Sequence, residues 1–214
     1  MKTLKESMLL YAVTDRTWTS RQSLIEQVEE ALKGGITFLQ LREKELDYDS
    51  FFKEALEMKL LCNHYHVPFV INDNIDIAIA CDADGVHVGQ SDLQALQARS
   101  KLGSSKILGV SVQTPSQAVL AEQQGADYLG VGAVFSTTTK ADADTVSLET
   151  LKEICNAVTI PVIAIGGICA HNVLELSGST IDGIAVVSAI FAQENIQSAT
   201  KTLLRLTNKM VKGE

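Results

Sequence analysis

A chain of 214 residues with 46% hydrophobic and 21% charged residues can bury one sizeable core, and a net charge of −8 leaves no excess of cations to grip a nucleic-acid backbone. No apolar run approaches the roughly 18 residues of a membrane span, and residues 1–7 mix charges without the apolar stretch and small-residue cleavage site of an export signal. The four cysteines, Cys62, Cys81, Cys155 and Cys169, are widely spaced with no C-x-x-C pair, which predicts reduced thiols in a cytoplasmic protein rather than a zinc site or a disulfide framework.

The first seven residues are expected to lead straight into a strand at 9–14. A helix at 23–33 follows, with Leu24, Ile25, Val28, Ala31 and Leu32 at the spacing of one apolar helical face. Strands at 38–41, 69–71, 85–88, 107–111, 128–132, 162–165 and 183–187 then alternate with helices at 48–65, 93–102, 116–124, 148–157 and 196–212. Several strands are continuous apolar runs, such as Val162-Ile163-Ala164-Ile165, the pattern of a strand covered on both faces. Eight strands alternating with helices predict an α/β fold, a (β/α)8 TIM barrel, as a single domain over residues 1–214. The alternative, an open doubly wound sheet, would carry a Gly-rich dinucleotide turn after its first strand, where Thr14-Asp15-Arg16-Thr17-Trp18 stands instead.

Chemistry in a parallel barrel sits on the loops that follow the strands. After the second strand, Gln40-Leu41-Arg42-Glu43-Lys44 puts two cations and an amide at one strand end, a half-site for a phosphorylated ligand; a solvated helix start is the competing reading, since Glu43, Glu45 and Asp47 are interleaved. Asp73 and Asp92 follow adjacent strands and suggest a Mg²⁺ site completed by substrate phosphates, with turn or helix-cap roles as the alternative. Gly166-Gly167 and Ser188, with the Thr137/Thr139/Lys140 loop, read as a second phosphate cup, although Gly166-Gly167 alone would serve a tight turn. A cation-plus-metal site suits a labile diphosphate, whereas a cup of N–H groups and a hydroxyl suits a phosphate used as a handle. The reaction expected is the joining of two phosphorylated small molecules with loss of pyrophosphate. His64 and His66 fall at a polar helix end, and His87 falls within the fourth strand as a hydrogen-bonded core residue.

Together the segments Gln40-Leu41-Arg42-Glu43-Lys44, Ile71-Asn72-Asp73, Asp84-Gly85-Val86-His87-Val88-Gly89-Gln90-Ser91-Asp92, Gly109-Val110-Ser111, Thr137-Thr138-Thr139-Lys140, Ala164-Ile165-Gly166-Gly167-Ile168 and Val187-Ser188-Ala189-Ile190 resemble the thiamine-phosphate synthase family across nearly the whole chain. Ala133 and Ser136 stand where many relatives have proline. The resemblance implies a Mg²⁺-dependent transferase that joins 4-amino-2-methyl-5-hydroxymethylpyrimidine diphosphate to 4-methyl-5-(2-phosphoethyl)thiazole, or its carboxylated form, by dissociative loss of pyrophosphate. It assigns Gln40, Leu41, Arg42, Glu43, Lys44, Asn72, Ser111 and Lys140 to the pyrimidine diphosphate, with Arg42, Lys44 and Lys140 catalytic. Thr137, Thr138, Thr139, Gly167, Val187 and Ser188 go to the thiazole phosphate, and Asp73 and Asp92 to the metal. The partners implied are the two small-molecule substrates, with neither nucleic acid nor membrane, and nothing in the sequence fixes a homo-oligomeric state. Two alternatives are a thiazole tautomerase of the same superfamily, which would not need Arg42, Lys44, Asp73, Asp92 and Lys140, and a non-catalytic barrel that binds phosphorylated ligands.

Overall fold

Eight short strands whose side chains alternate between two apolar environments account for the architecture. The computed structural model describes residues 3–89, 95–136 and 145–213. Its strands are β1 (Leu10–Val13), β2 (Phe38–Leu41), β3 (Phe69–Asn72), β4 (Gly85–Val88), β5 (Ile107–Val112), β6 (Tyr128–Val131), β7 (Val162–Ile165) and β8 (Gly183–Val186). Each pairs in parallel with the next, and β8 pairs with β1, so the sheet closes as the expected TIM barrel. Alternate residues point inward, where Tyr11, Val13, Phe38, Val70, Tyr128, Ile163 and Ala185 pack together. Their neighbours Leu10, Ala12, Leu39, Leu41, Phe69 and Ile71 point outward into the layer beneath the helices.

The long helices occur where the sequence predicts them: α2 (Leu24–Gly34), α3 (Tyr48–Tyr65), α5 (Ala95–Leu102), α6 (Pro115–Gln123), α7 (Leu148–Ala157) and α9 (Ile196–Lys212). Residues 93 and 94 of the helix expected at 93–102 lie outside the described residues. Three short α-helices among the described residues were not expected. The N-terminal segment does not run straight into β1 but first forms α1 (Leu4–Ser7), fixed by a capping box between Thr3 and Glu6. The others are α4 (Ile75–Ala80) and α8 (Ser188–Phe191). One turn is too short to show a helical period, and the alternating Ile75-Asp76-Ile77-Ala78 mimics a strand.

The amino-terminal rim is sealed by a device repeated around the ring. Thr37, Asp84, Asp127 and Asp182, each just ahead of an even-numbered strand, accept through the side chain the N–H of Leu10, Phe69, Leu108 and Val162 respectively, each at 2.8 Å. Each also returns its own N–H to the carbonyl of the same residue at 2.8 Å. The three carboxylates each hold a cation from the helical layer: Lys59 on Asp84 at 2.7 Å, Arg99 on Asp127 at 2.5 Å and Lys5 on Asp182 at 2.9 Å. These bonds tie the amino-terminal rim together, and in parallel barrels chemistry sits at the opposite one.

Candidate active site at the carboxyl rim

Arg42 leaves the end of β2 and is anchored by the loop after β1. Its N–H donates to Thr14 Oγ1 at 2.9 Å and its Nη1 donates to Asp15 Oδ2 at 3.3 Å, with 23% of the side chain exposed. Lys44 is exposed and forms no ion pair among the described residues, so its ammonium is available to an anion. Between them Glu43 is turned inward, its side chain 2% exposed, where it pairs with Arg16 and accepts the backbone N–H groups of Lys44 at 2.8 Å and Glu45 at 3.1 Å. Burial works against its charge, yet the Arg16 bond and the two N–H groups hold its carboxyl below the ordinary value. Arg16 also pairs with Glu54 of α3. Glu43 therefore shapes the loop that presents Lys44. Leu41, expected among the substrate contacts, is fully buried and packs outward beneath the helices, so its side chain does not reach the rim.

At the end of β3, Asn72 donates from Nδ2 to Asp73 Oδ2 at 2.5 Å, and the Asp73 N–H bonds the His87 carbonyl at 2.8 Å. Asp73 adopts φ +61° and is exposed. The capping alternative fails for it, because Asn74 caps α4 by accepting the Ile77 N–H at 2.9 Å. Asp92, Thr137, Thr138, Thr139 and Lys140 lie outside the described residues. No cluster of three or more His, Cys, Asp or Glu side chains converges among the described residues. Asp73 offers carboxylate oxygens at this rim, the ligand type that a hard cation takes. His64 and His66 are exposed around the end of α3, ahead of β3 and therefore toward the amino-terminal rim.

Across the barrel, the loop after β6 is braided onto β7 by backbone bonds, Val134 N–H to the Ile165 carbonyl at 3.0 Å and Phe135 N–H to the Gly166 carbonyl at 3.1 Å. These two bonds hold the loop with Ala133 and Ser136 in it. Gly166 and Gly167 have φ +99° and +65°, and a Cβ on Gly167 would stand 2.4 Å from the Ser136 carbonyl oxygen. Gly167 is thus required by close packing of two loops as well as by its turn. Asn172 staples this turn, donating to the Gly167 carbonyl at 2.9 Å and accepting the Cys169 N–H at 2.8 Å. After β8, Val187 packs on the inner cluster and the exposed Ser188 opens α8.

Beneath the rim a hydrogen-bonded series crosses the barrel. Gln40 Nε2 donates to the Tyr11 hydroxyl at 2.7 Å, Tyr11 meets the Tyr128 hydroxyl at 2.8 Å, Tyr128 meets His87 Nδ1 at 2.9 Å, and His87 Nε2 meets Ser111 Oγ at 2.9 Å. Burial pushes His87 down to about 4 and pushes both phenols above their ordinary value. Tyr11 and Tyr128 were not anticipated as functional. Their inward parity was the available signal, since a tyrosine facing a barrel interior must find a partner for its hydroxyl.

Comparison with known proteins agrees over nearly the full length. The family model described as thiamine monophosphate synthase matches residues 10–190. A thiamine-phosphate synthase of Ruminiclostridium cellulolyticum is 51% identical over 197 residues, covering 92% of this chain and 94% of that one. The corresponding protein of Enterococcus faecalis is 44% identical over 210 residues, covering 98% and 99%. The solved structure of a thiamine phosphate pyrophosphorylase from Pyrococcus furiosus superposes with a TM-score of 0.90 at 37% identity, covering 98% of this chain and all 100% of that one. With a full-length barrel, a cationic and acidic carboxyl rim, and relatives at this identity, the chain belongs to the thiamine monophosphate synthase family, enzymes that act as transferases in thiamine biosynthesis.

Proposed function

We propose that this barrel couples 4-amino-2-methyl-5-hydroxymethylpyrimidine diphosphate with 4-methyl-5-(2-phosphoethyl)thiazole, or its carboxylated form, to give thiamine phosphate and pyrophosphate. The observation that carries the reading is the pairing, at one strand end, of an anchored Arg42 with a Lys44 that forms no ion pair among the described residues, beside the Asp73 carboxylate of the next strand. Gln40, Asn72 and Ser111 bind the pyrimidine, with Glu43 acting through the Lys44 loop. Arg42, Lys44 and Lys140 meet the charge that grows on the departing diphosphate. Asp73 and Asp92 would hold Mg²⁺, which when bound supplies further positive charge to the diphosphate oxygens.

The C–O bond to the pyrimidine methylene breaks with its electron pair leaving on pyrophosphate, and the thiazole nitrogen lone pair forms the new C–N bond. This sequence needs no protein nucleophile and no strong base. Thr137, Thr138, Thr139, Gly167, Val187 and Ser188 hold the thiazole phosphate as a handle. The cytoplasm is the proposed setting, in keeping with the free cysteines. No helix among the described residues is long and apolar enough to cross a membrane.

Incubation with both substrates and Mg²⁺, followed by quantification of thiamine phosphate and pyrophosphate, tests the proposal. Equimolar products that require both substrates are expected. Isomerisation of the carboxylated thiazole without coupling, or binding without product, would overturn it.

A further inference from the structure

The series Gln40–Tyr11–Tyr128–His87–Ser111 has a direction. Gln40 Nε2 is a donor, so the Tyr11 oxygen accepts from it. The Tyr11 O–H, fully buried, then has the Tyr128 oxygen as its remaining partner. The Tyr128 O–H in turn donates to His87 Nδ1, and a neutral imidazole whose Nδ1 accepts carries its proton on Nε2, which donates to Ser111 Oγ. Every buried hydroxyl and ring nitrogen in the series is satisfied in this sense. Reversal would require turning the Gln40 amide, protonating His87 on Nδ1 and reversing both phenols together. A partial reversal strands a buried donor and is disfavoured.

Space for this series is also built in. A Cβ on Gly109 would lie 2.3 Å from the Tyr128 hydroxyl and 2.5 Å from His87 Nδ1, and one on Gly130 would lie 3.2 Å from His87 Cε1. The inward positions of β5 and β6 beside the imidazole are thus kept empty so that the ring and phenol meet.

With Nε2 committed to Tyr11, the Gln40 Oε1 is bonded by no described residue and is the atom that remains for a ligand. A carbonyl oxygen accepts an exocyclic amino N–H and opposes an exocyclic carbonyl. We propose that His87, as the Nε2–H tautomer, and Tyr128 are positioning residues that lock the Gln40 amide in one orientation, so that the pocket takes an amino-substituted heterocycle and rejects its oxo counterpart. This inference rests on the pyrimidine side of the function proposed above.

Two measurements test it. Nitrogen-15 NMR of histidine-labelled protein at pH 7 is expected to give His87 as the neutral Nε2–H form, and an Nδ1–H form or an imidazolium would overturn the proposal whether or not the enzyme couples its substrates. Calorimetry then compares the aminopyrimidine diphosphate with its deaminated 4-oxo analogue. Wild type is expected to prefer the amino form by about tenfold or more, since the wrong partner leaves an acceptor facing an acceptor. In Tyr128→Phe the Tyr11 O–H loses its acceptor and turns the Gln40 amide to regain one, so most of that preference is expected to vanish while thiazole phosphate binding holds. Unchanged preference in Tyr128→Phe would sink the specificity claim. Loss of binding of both pyrimidines in wild type would instead count against the proposed function, with the tautomer still deciding the series.

Discussion

Asp182 and Val162 hold each other twice, the Asp182 carboxylate accepting the Val162 N–H at 2.8 Å and the Asp182 N–H returning to the Val162 carbonyl at 2.8 Å. This side chain is 11% exposed and also binds Lys5, which ties α1 beneath the barrel. Asp182→Ala leaves that N–H without its partner, so a loss of about 1–3 kcal/mol in unfolding free energy is expected. Because the contact lies at the rim opposite the chemistry, kcat and KM should stay near wild type. Denaturant unfolding together with steady-state kinetics checks both, and a large KM change with unaltered stability would contradict the assignment.

Stability should fall on acidification through a window set partly by His87. Its value is about 4 in the folded chain against an ordinary 6.5. Between these the unfolded chain binds the proton and the folded one does not, so stability is full above about pH 6.5 and declines toward pH 4, by roughly 3 kcal/mol for this group. Among the described residues the ring nitrogens bond Tyr128 of β6 and Ser111 of β5, and a carboxylate stands on Asp73, whose N–H bonds the His87 carbonyl. Unfolding free energies measured across this range should slope less in His87→Gln than in wild type; equal slopes would show that other groups carry the acid sensitivity.

Metal dependence provides a third test. Asp73→Asn and Asp92→Asn are expected to lower Mg²⁺-supported turnover by about 100-fold or more with the fold retained, because charge on the diphosphate is then met by fewer positive groups. Circular dichroism establishes the fold, and titration of turnover with Mg²⁺ gives the effect. Wild-type rates in both variants would remove these acids from the metal site.

The two substrate pockets should separate by mutation. Lys44→Ala and Lys140→Ala are expected to act on the pyrimidine diphosphate, since each removes a point charge from phosphate oxygens. Ser188→Ala is expected to act on the thiazole phosphate by roughly tenfold or less, the scale of one hydrogen bond. Gly167→Ala should cost more and also lower stability, as its methyl group would press on the Ser136 carbonyl. Kinetics with each substrate varied in turn, supported by direct binding, reads the division; lysine variants that weaken only the thiazole phosphate would reverse it.

Glu43→Gln should raise KM for the pyrimidine diphosphate by about tenfold while leaving KM for the thiazole phosphate in place. The amide keeps an oxygen for the Lys44 N–H but loses the charge that holds Arg16, so the loop presenting Lys44 slackens. The same kinetic design distinguishes this from direct phosphate contact, because Arg16→Lys should show a similar, smaller effect.

The barrel itself was legible in the sequence, because continuous apolar strands such as Val162-Ile163-Ala164-Ile165 and helices with one apolar face have periods set by backbone geometry alone. Which residues stand at the strand ends was legible for the same reason: once the strands are placed, Arg42, Lys44, Asn72, Asp73, Gly167 and Ser188 must share a rim. What each side chain does there was not, since that depends on partners distant in the chain. Glu43 reads as a ligand contact until Arg16, 27 residues earlier, claims it. Asp84, Asp127 and Asp182 look no less catalytic than Asp73, and only their place at the opposite rim makes them structural. The direction of the buried series is the clearest case. Tyr11 and Tyr128 are separated by 117 residues, and their hydroxyls meet only because β1 and β6 face each other across a closed ring. Local propensity fixes which face a residue occupies; closure of the barrel alone decides what it meets there.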